Sequence, residues 1–319
     1  MDKRIITVTL NPCVDLTVTV EKFLYGETNV VLGTKKDFSG KGINTSIVLN
    51  NFGLKNISAG LGFSKDYMQL QSFLSKENIE PRLLEIPGEL RINVKIFDAS
   101  DKVMSEFNDK GTFVEDHYQD MFLEEMNSMF EMADILILSG SVPPGISRKI
   151  YKILAQKANE KGVKVIVDAC GDLLTEALES KPFLIKPNQS ELKLTLNMPT
   201  ETVEEIIKAA NFVIEKGVKY VCVSRGDKGA VLVSKEAVYL ADALSVEVKG
   251  IQGAGDSMIA GICYAIKSGQ PESEYLRYAV AAATGSLLHE GTELCNKKEM
   301  LDLINKVQIT KIKNGGSLV

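Results

Sequence analysis

Gly250-Ile251-Gln252-Gly253-Ala254-Gly255-Asp256-Ser257 is the stretch on which the fold turns. Before it, Leu244-Ser245-Val246-Glu247-Val248 alternates in the manner of a strand. After it, residues 258–268 carry small and apolar side chains at helical spacing, closed by Gly269 and Pro271. Strand, glycine turn and helix follow one another, with a carboxylate in the first turn of the helix. Glycines there let a ligand approach the backbone, and the open N–H groups and dipole of the helix start favour an anion such as a phosphate oxygen. A carboxylate beside an anion site costs energy unless it acts on something. The natural task is to accept a proton from an attacking hydroxyl. Asp256 as an ordinary helix cap is the other reading, and this stretch alone leaves both open. The dinucleotide fingerprint G-x-G-x-x-G is not met, because Met258 stands at the third glycine, and the P-loop pattern is absent from the chain.

Composition narrows the field. A chain of 319 residues, 45% apolar and 25% charged, can bury one large core, or one core plus a small accessory domain. A net charge of −5 gives no general attraction to nucleic acid or anionic membrane, so neither is expected as a partner. The start, Met1-Asp2-Lys3-Arg4, runs into a strand without signal-peptide architecture, and no apolar run reaches membrane-spanning length. A cytoplasmic location is expected. The five cysteines are scattered without a C-x-x-C pair, so reduced thiols are expected. His117 and His289 belong to no ligand pattern, which speaks against a histidine metal site or Ser-His-Asp chemistry.

Working outward, residues 4–10 read as a strand ended by Asn11-Pro12, and 14–20 and 28–36 as a strand pair. A helix is predicted over 43–51, a strand over 57–62 and a helix over 66–77. Residues 91–97 and 103–107 make a second strand pair with Ala99-Ser100-Asp101 as the turn. From His117 onward, short apolar strands (134–138, 163–167, 183–185, 220–224) alternate with helices (148–161, 173–179, 201–216). The tail after Glu272 is predicted helical, with a loose end at Gly315-Gly316-Ser317. No repeat, low-complexity segment or linker interrupts this order. The alternation predicts an α/β protein: a three-layer α/β/α domain with a mostly parallel central sheet. The two antiparallel segments are expected to pair into a small β-sheet lid over the strand ends. The boundaries are 1–11, 37–89 and 112–319 for the large domain, and 12–36 with 90–111 for the lid. Such a lid leaves one apolar face open, which predicts a homodimer.

In a parallel sheet the useful residues follow the C-terminal ends of strands. Those places hold Asn11 and Asp15, Ser39-Gly40-Lys41-Gly42 with Asn44, Ser139-Gly140-Ser141, Asp168, Lys186-Pro187-Asn188 with Glu191, Ser224-Arg225-Gly226, and the Gly253 turn. Gly40 and Gly42 let Lys41 meet an anion along a bare backbone, although a solvated lysine in a turn reads the same way. Arg91, Asn93 and Lys95 share one strand face, which suits anion contact or, equally, a charged edge that resists aggregation. Asn188 and Glu191 could hold Mg²⁺ through water, or be a helix cap with an acidic first turn.

These residues resemble, in order and over residues 7–288, the ribokinase-like (PfkB) carbohydrate kinases. The carriers are Asn11-Pro12 with Asp15, Gly40-Lys41-Gly42-Ile43-Asn44, Lys186-Pro187-Asn188 with Glu191, and Gly253-Ala254-Gly255-Asp256-Ser257. The first two, with Arg91-Ile92-Asn93-Val94-Lys95, are similar to the branch acting on ketohexose phosphates, the 1-phosphofructokinases and tagatose-6-phosphate kinases. The resemblance implies a ribokinase-like fold, ATP and Mg²⁺ as cofactors, a sugar phosphate as substrate, and a dimer clasped through the lid. Fructose 1-phosphate going to fructose 1,6-bisphosphate is the first choice, tagatose 6-phosphate the alternative. By the same resemblance Asp256 is the catalytic base, and the backbone of Gly253, Ala254 and Gly255 the anion hole. Asp15, Gly40, Lys41, Asn44, Arg91, Asn93, Lys95 and Ser139 face the sugar phosphate. Lys186, Asn188 and Glu191 lie near the nucleotide phosphates and Mg²⁺, and Ser224, Gly226 and Gly229 form the nucleotide-side turn. Ser39, Gln252 and Arg225 depart from the family pattern. A non-catalytic sugar-phosphate or nucleotide sensor is the reading from a different class. A dehydrogenase comes third, opposed by the misplaced acid.

Overall fold

The apolar runs divide their side chains between two cores, which is why they lie inside a sheet covered on both faces. The computed structural model describes residues 3–289 and 293–313. In β1 (Arg4–Thr9) Ile6 and Val8 enter one core and Ile5 the other. The same alternation holds in β8 (Ala133–Ser139), where Leu136 and Leu138 oppose Ile135 and Ile137, and in β9 (Lys164–Asp168). A period of two with both faces apolar is the pattern of a doubly covered parallel strand.

The large sheet runs, in spatial order, β14 (Ile309–Lys313), β13 (Ala237–Ala241), β12 (Ala230–Ser234), β11 (Tyr220–Ser224), β10 (Leu184–Ile185), β9, β8, β1, β4 (Asn56–Phe63) and β5 (Glu80–Ile86). From β4 and β5 through β1, β8 and β9 to β10 and β11 all pairs are parallel. Then β12, β13 and β14 add antiparallel strands. One face is packed by α2 (Tyr67–Lys76), α3 (Asp116–Met129), α4 (Ile150–Glu160), α5 (Gly171–Leu178), α6 (Gln189–Leu196) and α7 (Val203–Glu215). The other carries α8 (Ala254–Lys267), α9 (Glu272–Leu287), α10 (Lys297–Ile304) and much of α1 (Lys41–Asn51). This is the expected three-layer α/β/α architecture with a mostly parallel sheet.

The smaller sheet has the order β3-β2-β6-β7, from β2 (Cys13–Val20), β3 (Val31–Ser39), β6 (Arg91–Asp98) and β7 (Val103–Phe107). The two hairpins are antiparallel, but they join through a parallel β2–β6 pair. The reason is topological: β2 follows β1 and β6 follows β5, and both parent strands leave the main sheet in the same direction.

Several expected boundaries move. The strand predicted at 28–36 lies at Val31–Ser39, so the hairpin loop is longer and Asn29 holds it by accepting from Leu24 N at 2.8 Å. The helix predicted from Ile43 begins at Lys41, with Gly40 as its N-cap. Gly42 belongs inside that helix because a Cβ there would run into Thr9 and the Val8 carbonyl. Leu244–Val248, predicted as the strand before the glycine turn, is not a strand. Its alternation is real, yet the partner beside β13, the strand just before it, is β14 from the end of the chain. For the same reason the tail is not wholly helical: α9 and α10 are followed by β14. The predicted loose end at 315–317 lies outside the described residues.

Candidate active site

The turn before α8 is built from conformation. Gly253 is the N-cap of the helix at φ 70°, a left-handed value that glycine adopts without strain, and a Cβ on it would run into Leu294. Ala254, Gly255 and Asp256 then form the first turn. The N-cap is Gly253 and Asp256 stands inside the first turn, so Asp256 is not the helix's cap residue. Its Oδ2 instead accepts from Asn44 Nδ2, at 2.8 Å, near the start of α1. Asp256 is only 6% exposed. Burial and then the charge of Asp168 push its carboxyl up to about 6, against the pull of Lys41, the Asn44 hydrogen bond and Lys186.

Asp168, at the end of β9, is buried between two lysines: Lys186 Nζ at 3.3 Å and Lys41 Nζ at 3.4 Å. Burial works to raise its pKa, but the charges of Lys186 and Lys41 outweigh it and hold the carboxylate below its ordinary range. In return, chiefly through Asp168 and against burial, Lys41 is held well above the usual lysine value. Glu191 Oε1 lies 3.6 Å from Lys41 Nζ. The other atoms of that motif are occupied: Asn188 Oδ1 accepts from Glu191 N and Glu191 Oε2 from Asn188 N, both at 2.8 Å, a capping box on α6.

Asp15 is the lid's counterpart. Lys95 Nζ at 2.8 Å and Gln252 Nε2 at 2.7 Å donate to its Oδ2, and Asn93 Nδ2 at 3.1 Å to its Oδ1. Burial works to raise its pKa, but Lys95, with hydrogen bonds from Ser39 and Asn93, wins and keeps it low. Lys95 is thus a buried ion-pair partner and not a solvated edge charge. Arg91 donates to backbone carbonyls of Asn11 at 3.1 Å and Asp109 at 2.8 Å, which fixes its head at the lid base.

One cavity of about 430 Å³ joins these groups. Of the residues singled out in the sequence, Asp15, Gly40, Lys41, Asn44, Arg91, Asn93 and Lys95 line it from the lid and α1. Lys186, Asn188, Glu191, Ser224, Gly253, Gly255 and Asp256 line it from the main sheet and α8. Gly255 matters by absence: a Cβ there would approach Lys186 Nζ. Ala254, Ser139, Gly226 and Gly229 do not line this cavity. Ser139 is buried at the end of β8, where its carbonyl accepts from Tyr151 at 2.9 Å. Gly229 serves the turn into β12 at φ 83°, since a Cβ would meet the Ala241 carbonyl. Sequence reasoning noted Asp168 at a strand exit and gave it no role. It missed Glu106 and Asn108, which also line the cavity. The register offered a signal for the first, because Glu106 pairs directly with Lys95 and shares its face.

No group of three or more His, Cys, Asp or Glu side chains able to hold a metal is present among the described residues. The buried Oδ2 of Asp168, however, has no hydrogen-bond partner, and Lys41 links the Asp168 carboxylate, through Oδ1, to Glu191. Such a donor set suits a hard cation that takes most of its ligands from phosphates and water.

Glycine-rich backbone at a helix start, a buried carboxyl with a raised pKa and three lysines in one cleft at the strand ends define an α/β phosphotransferase without a P-loop. The chain belongs to the pfkB family of carbohydrate kinases, whose model matches residues 8–299. It is 34% identical over 310 residues to the 1-phosphofructokinase of Bacillus subtilis, covering 97% of this chain and 100% of that one. It is 29% identical over 313 residues to the tagatose-6-phosphate kinase of Staphylococcus epidermidis, covering 97% and 100%. The solved structure of phosphofructokinase-2 from Escherichia coli superposes with a TM-score of 0.89 at 26% identity, covering 95% of this chain and 99% of that one. The chain is therefore a sugar kinase of ribokinase-like fold, and its family takes ATP as phosphoryl donor. Among the described residues no helix is long and apolar enough to cross a membrane.

Proposed function

We propose that this kinase phosphorylates a ketohexose phosphate to a bisphosphate, with fructose 1-phosphate as substrate and fructose 1,6-bisphosphate as product. The observation that carries the reading is Asp256: buried, in the first turn of α8, bonded to Asn44 and with a pKa raised to about 6. A carboxylate of that pKa is ionised at neutral pH and basic enough to take a proton from a sugar hydroxyl as it attacks. The N–H groups of the Gly253 turn and helix start can hold the transferring phosphoryl oxygens, and Lys186 and Lys41 offset charge around them. Asp15, kept ionised by Lys95, supplies a fixed acceptor for sugar hydroxyls. Arg91 is the cavity cation whose head is held by carbonyls alone, apart from a 3.3 Å contact with Asn93 Oδ1, and it offers its charge to the substrate's own phosphate. Mg²⁺, when bound, would neutralise the nucleotide phosphates. Asp168 and Glu191 would hold it, with Asn188 fixing Glu191 through the capping box.

We further assign a homodimer to the lid. Leu16, Val18, Val94 and Ile96, with Ile92, Val103 and Phe107, fall on one register-matched face that belongs to neither core. A cytoplasmic location accords with this chemistry. The relative from Staphylococcus epidermidis favours tagatose 6-phosphate as a second reading. The test is ADP release with MgATP and, in turn, fructose 1-phosphate, tagatose 6-phosphate, fructose 6-phosphate and ribose. Turnover on fructose 1-phosphate above the others is expected. Preference for tagatose 6-phosphate would select the second reading, and ligand binding without turnover on any would favour the sensor.

A further inference from the structure

Gln252 connects two parts of the molecule that the backbone leaves apart. It lies on the segment 242–252, which among the described residues pairs with no strand and shows one backbone hydrogen bond to the rest of the fold, Lys249 N to Leu287 O at 2.8 Å. Its neighbour Ile251 points to solvent, 72% exposed. Gln252 itself reaches across the cavity to Asp15 on β2, and Gly253 follows directly with the left-handed φ that starts the anion turn. Asp15 Oδ2 is shared between this amide and the Lys95 ammonium, while Oδ1 faces Asn93 and the Cys13 thiol. Lys95, Asn93 and Cys13, and Ser39 whose hydroxyl also helps keep Asp15 ionised, all stand on strands of the small sheet, whereas Gln252 reaches Asp15 from the segment before α8.

We propose that Gln252 is a positioning residue that latches the lid to the anion turn. Through Asp15 it fixes the lid base over the sugar site, and through its peptide link to Gly253 it sets the turn where the phosphoryl group passes. A neutral amide suits the task. It binds the ionised Asp15 by a charge-assisted hydrogen bond without competing for its charge, and so holds the carboxylate in place for the sugar. The latch couples the acceptor of the sugar to the cradle of the phosphoryl group, so its loss acts on the sugar and leaves the nucleotide's affinity alone. This inference rests on the kinase reading only for the kinetic half of its test.

Gln252→Leu keeps the size and removes the amide. It is expected to raise KM for the sugar phosphate about tenfold and lower kcat, with KM for MgATP within twofold of the wild type. Gln252→Glu sets a second carboxylate against Asp15. Its activity relative to wild type at each pH is expected to rise as pH falls from 8 to 6, when the two acids can share a proton; taking the ratio cancels the titration of Asp256. Hydrogen exchange on the ligand-free wild type and Gln252→Leu reads the latch without any turnover. Faster exchange is expected at both 13–20 and 250–256 in the variant, with an unchanged melting temperature. Unchanged exchange at 13–20, an equal rise of KM for sugar and nucleotide, or a Gln252→Glu ratio flat with pH would each overturn the proposal. Should the wild type turn over no sugar, the kinase reading fails, and the exchange experiment still decides the latch.

Discussion

Asp256 and Asp15 line one cavity and are almost equally buried, at 6% and 3% exposed, yet their acidities move in opposite directions. The α/β domain gives Asp256 a neutral amide as partner and a second carboxylate, Asp168, as neighbour. The lid gives Asp15 an ammonium at 2.8 Å and two amides. Burial favours the neutral acid in both places, so the partner's charge decides which carboxyl can carry a proton and which stays an acceptor. On the function proposed above, two carboxyls in one cleft with separated pKa values would divide the labour, with Asp256 as the base and Asp15 as the clamp.

The sharpest way to break this contrast is to remove each carboxyl's defining feature. Asp256→Asn keeps the shape and the contact with Asn44 but cannot accept a proton. A fall in kcat of about 10³-fold is expected, with KM for both substrates little changed, and a loss under tenfold in steady-state assays would remove Asp256 from the base's role. On the lid side, Lys95→Met leaves Asp15 buried without its ammonium. Breaking one side of a buried pair costs on the order of 3 kcal/mol, and the cost should fall on the lid. KM for the sugar phosphate should rise about 100-fold while KM for MgATP holds. Equal damage to both substrates would mean that the pair supports the whole fold.

Stability offers a smaller contrast with a definite sign. The folded pKa of Asp256, about 6, lies above its unfolded value, so ionising it destabilises the native state as pH rises from about 4 through 6. Asp256→Asn escapes that cost. At pH 8 it should be more stable than wild type by about 3 kcal/mol in denaturant titrations, and the gain should shrink to nothing near pH 4. A variant that melts lower at pH 8 would show that the Asn44–Asp256 contact outweighs the buried charge.

Periodicity was the legible part of the fold. Strands such as Ala133–Ser139 and Tyr220–Ser224 are apolar on both faces, and that pattern has few outcomes other than a covered parallel sheet. Leu244–Val248 shows the limit: alternation says what a segment could pair with but not whether it does, and the strand beside β13 is β14, Ile309–Lys313, from the end of the chain. The site was legible where chemistry needs a rare residue pattern, as in Gly253-Ala254-Gly255-Asp256. It was less so where a role comes from long-range partners. Asp168 is bounded by Lys41 and Lys186, 127 and 18 residues away, and nothing in its own neighbourhood announces them. Asn188 and Glu191 illustrate the opposite case: both their capping box and their place on the cavity are present together, so the two sequence readings were not exclusive.

The mildest test keeps the protein intact and changes only pH. If the base is Asp256 with a pKa near 6, kcat/KM should be flat above pH 7 and fall about tenfold per unit below 6, because the carboxylate must be free to accept the proton. The substrate's own phosphate also titrates near pH 6, so the same limb could belong to it. The residual activity of Asp256→Asn separates the two: a limb owned by Asp256 vanishes in the variant, and one owned by the phosphate survives. Asp15 adds no limb of its own in this range, since Lys95 keeps it ionised well below pH 6. A wild-type profile flat down to pH 5 would mean that the buried base titrates lower than its surroundings dictate, and the opposition between the two aspartates would collapse into a pair of equivalent acceptors.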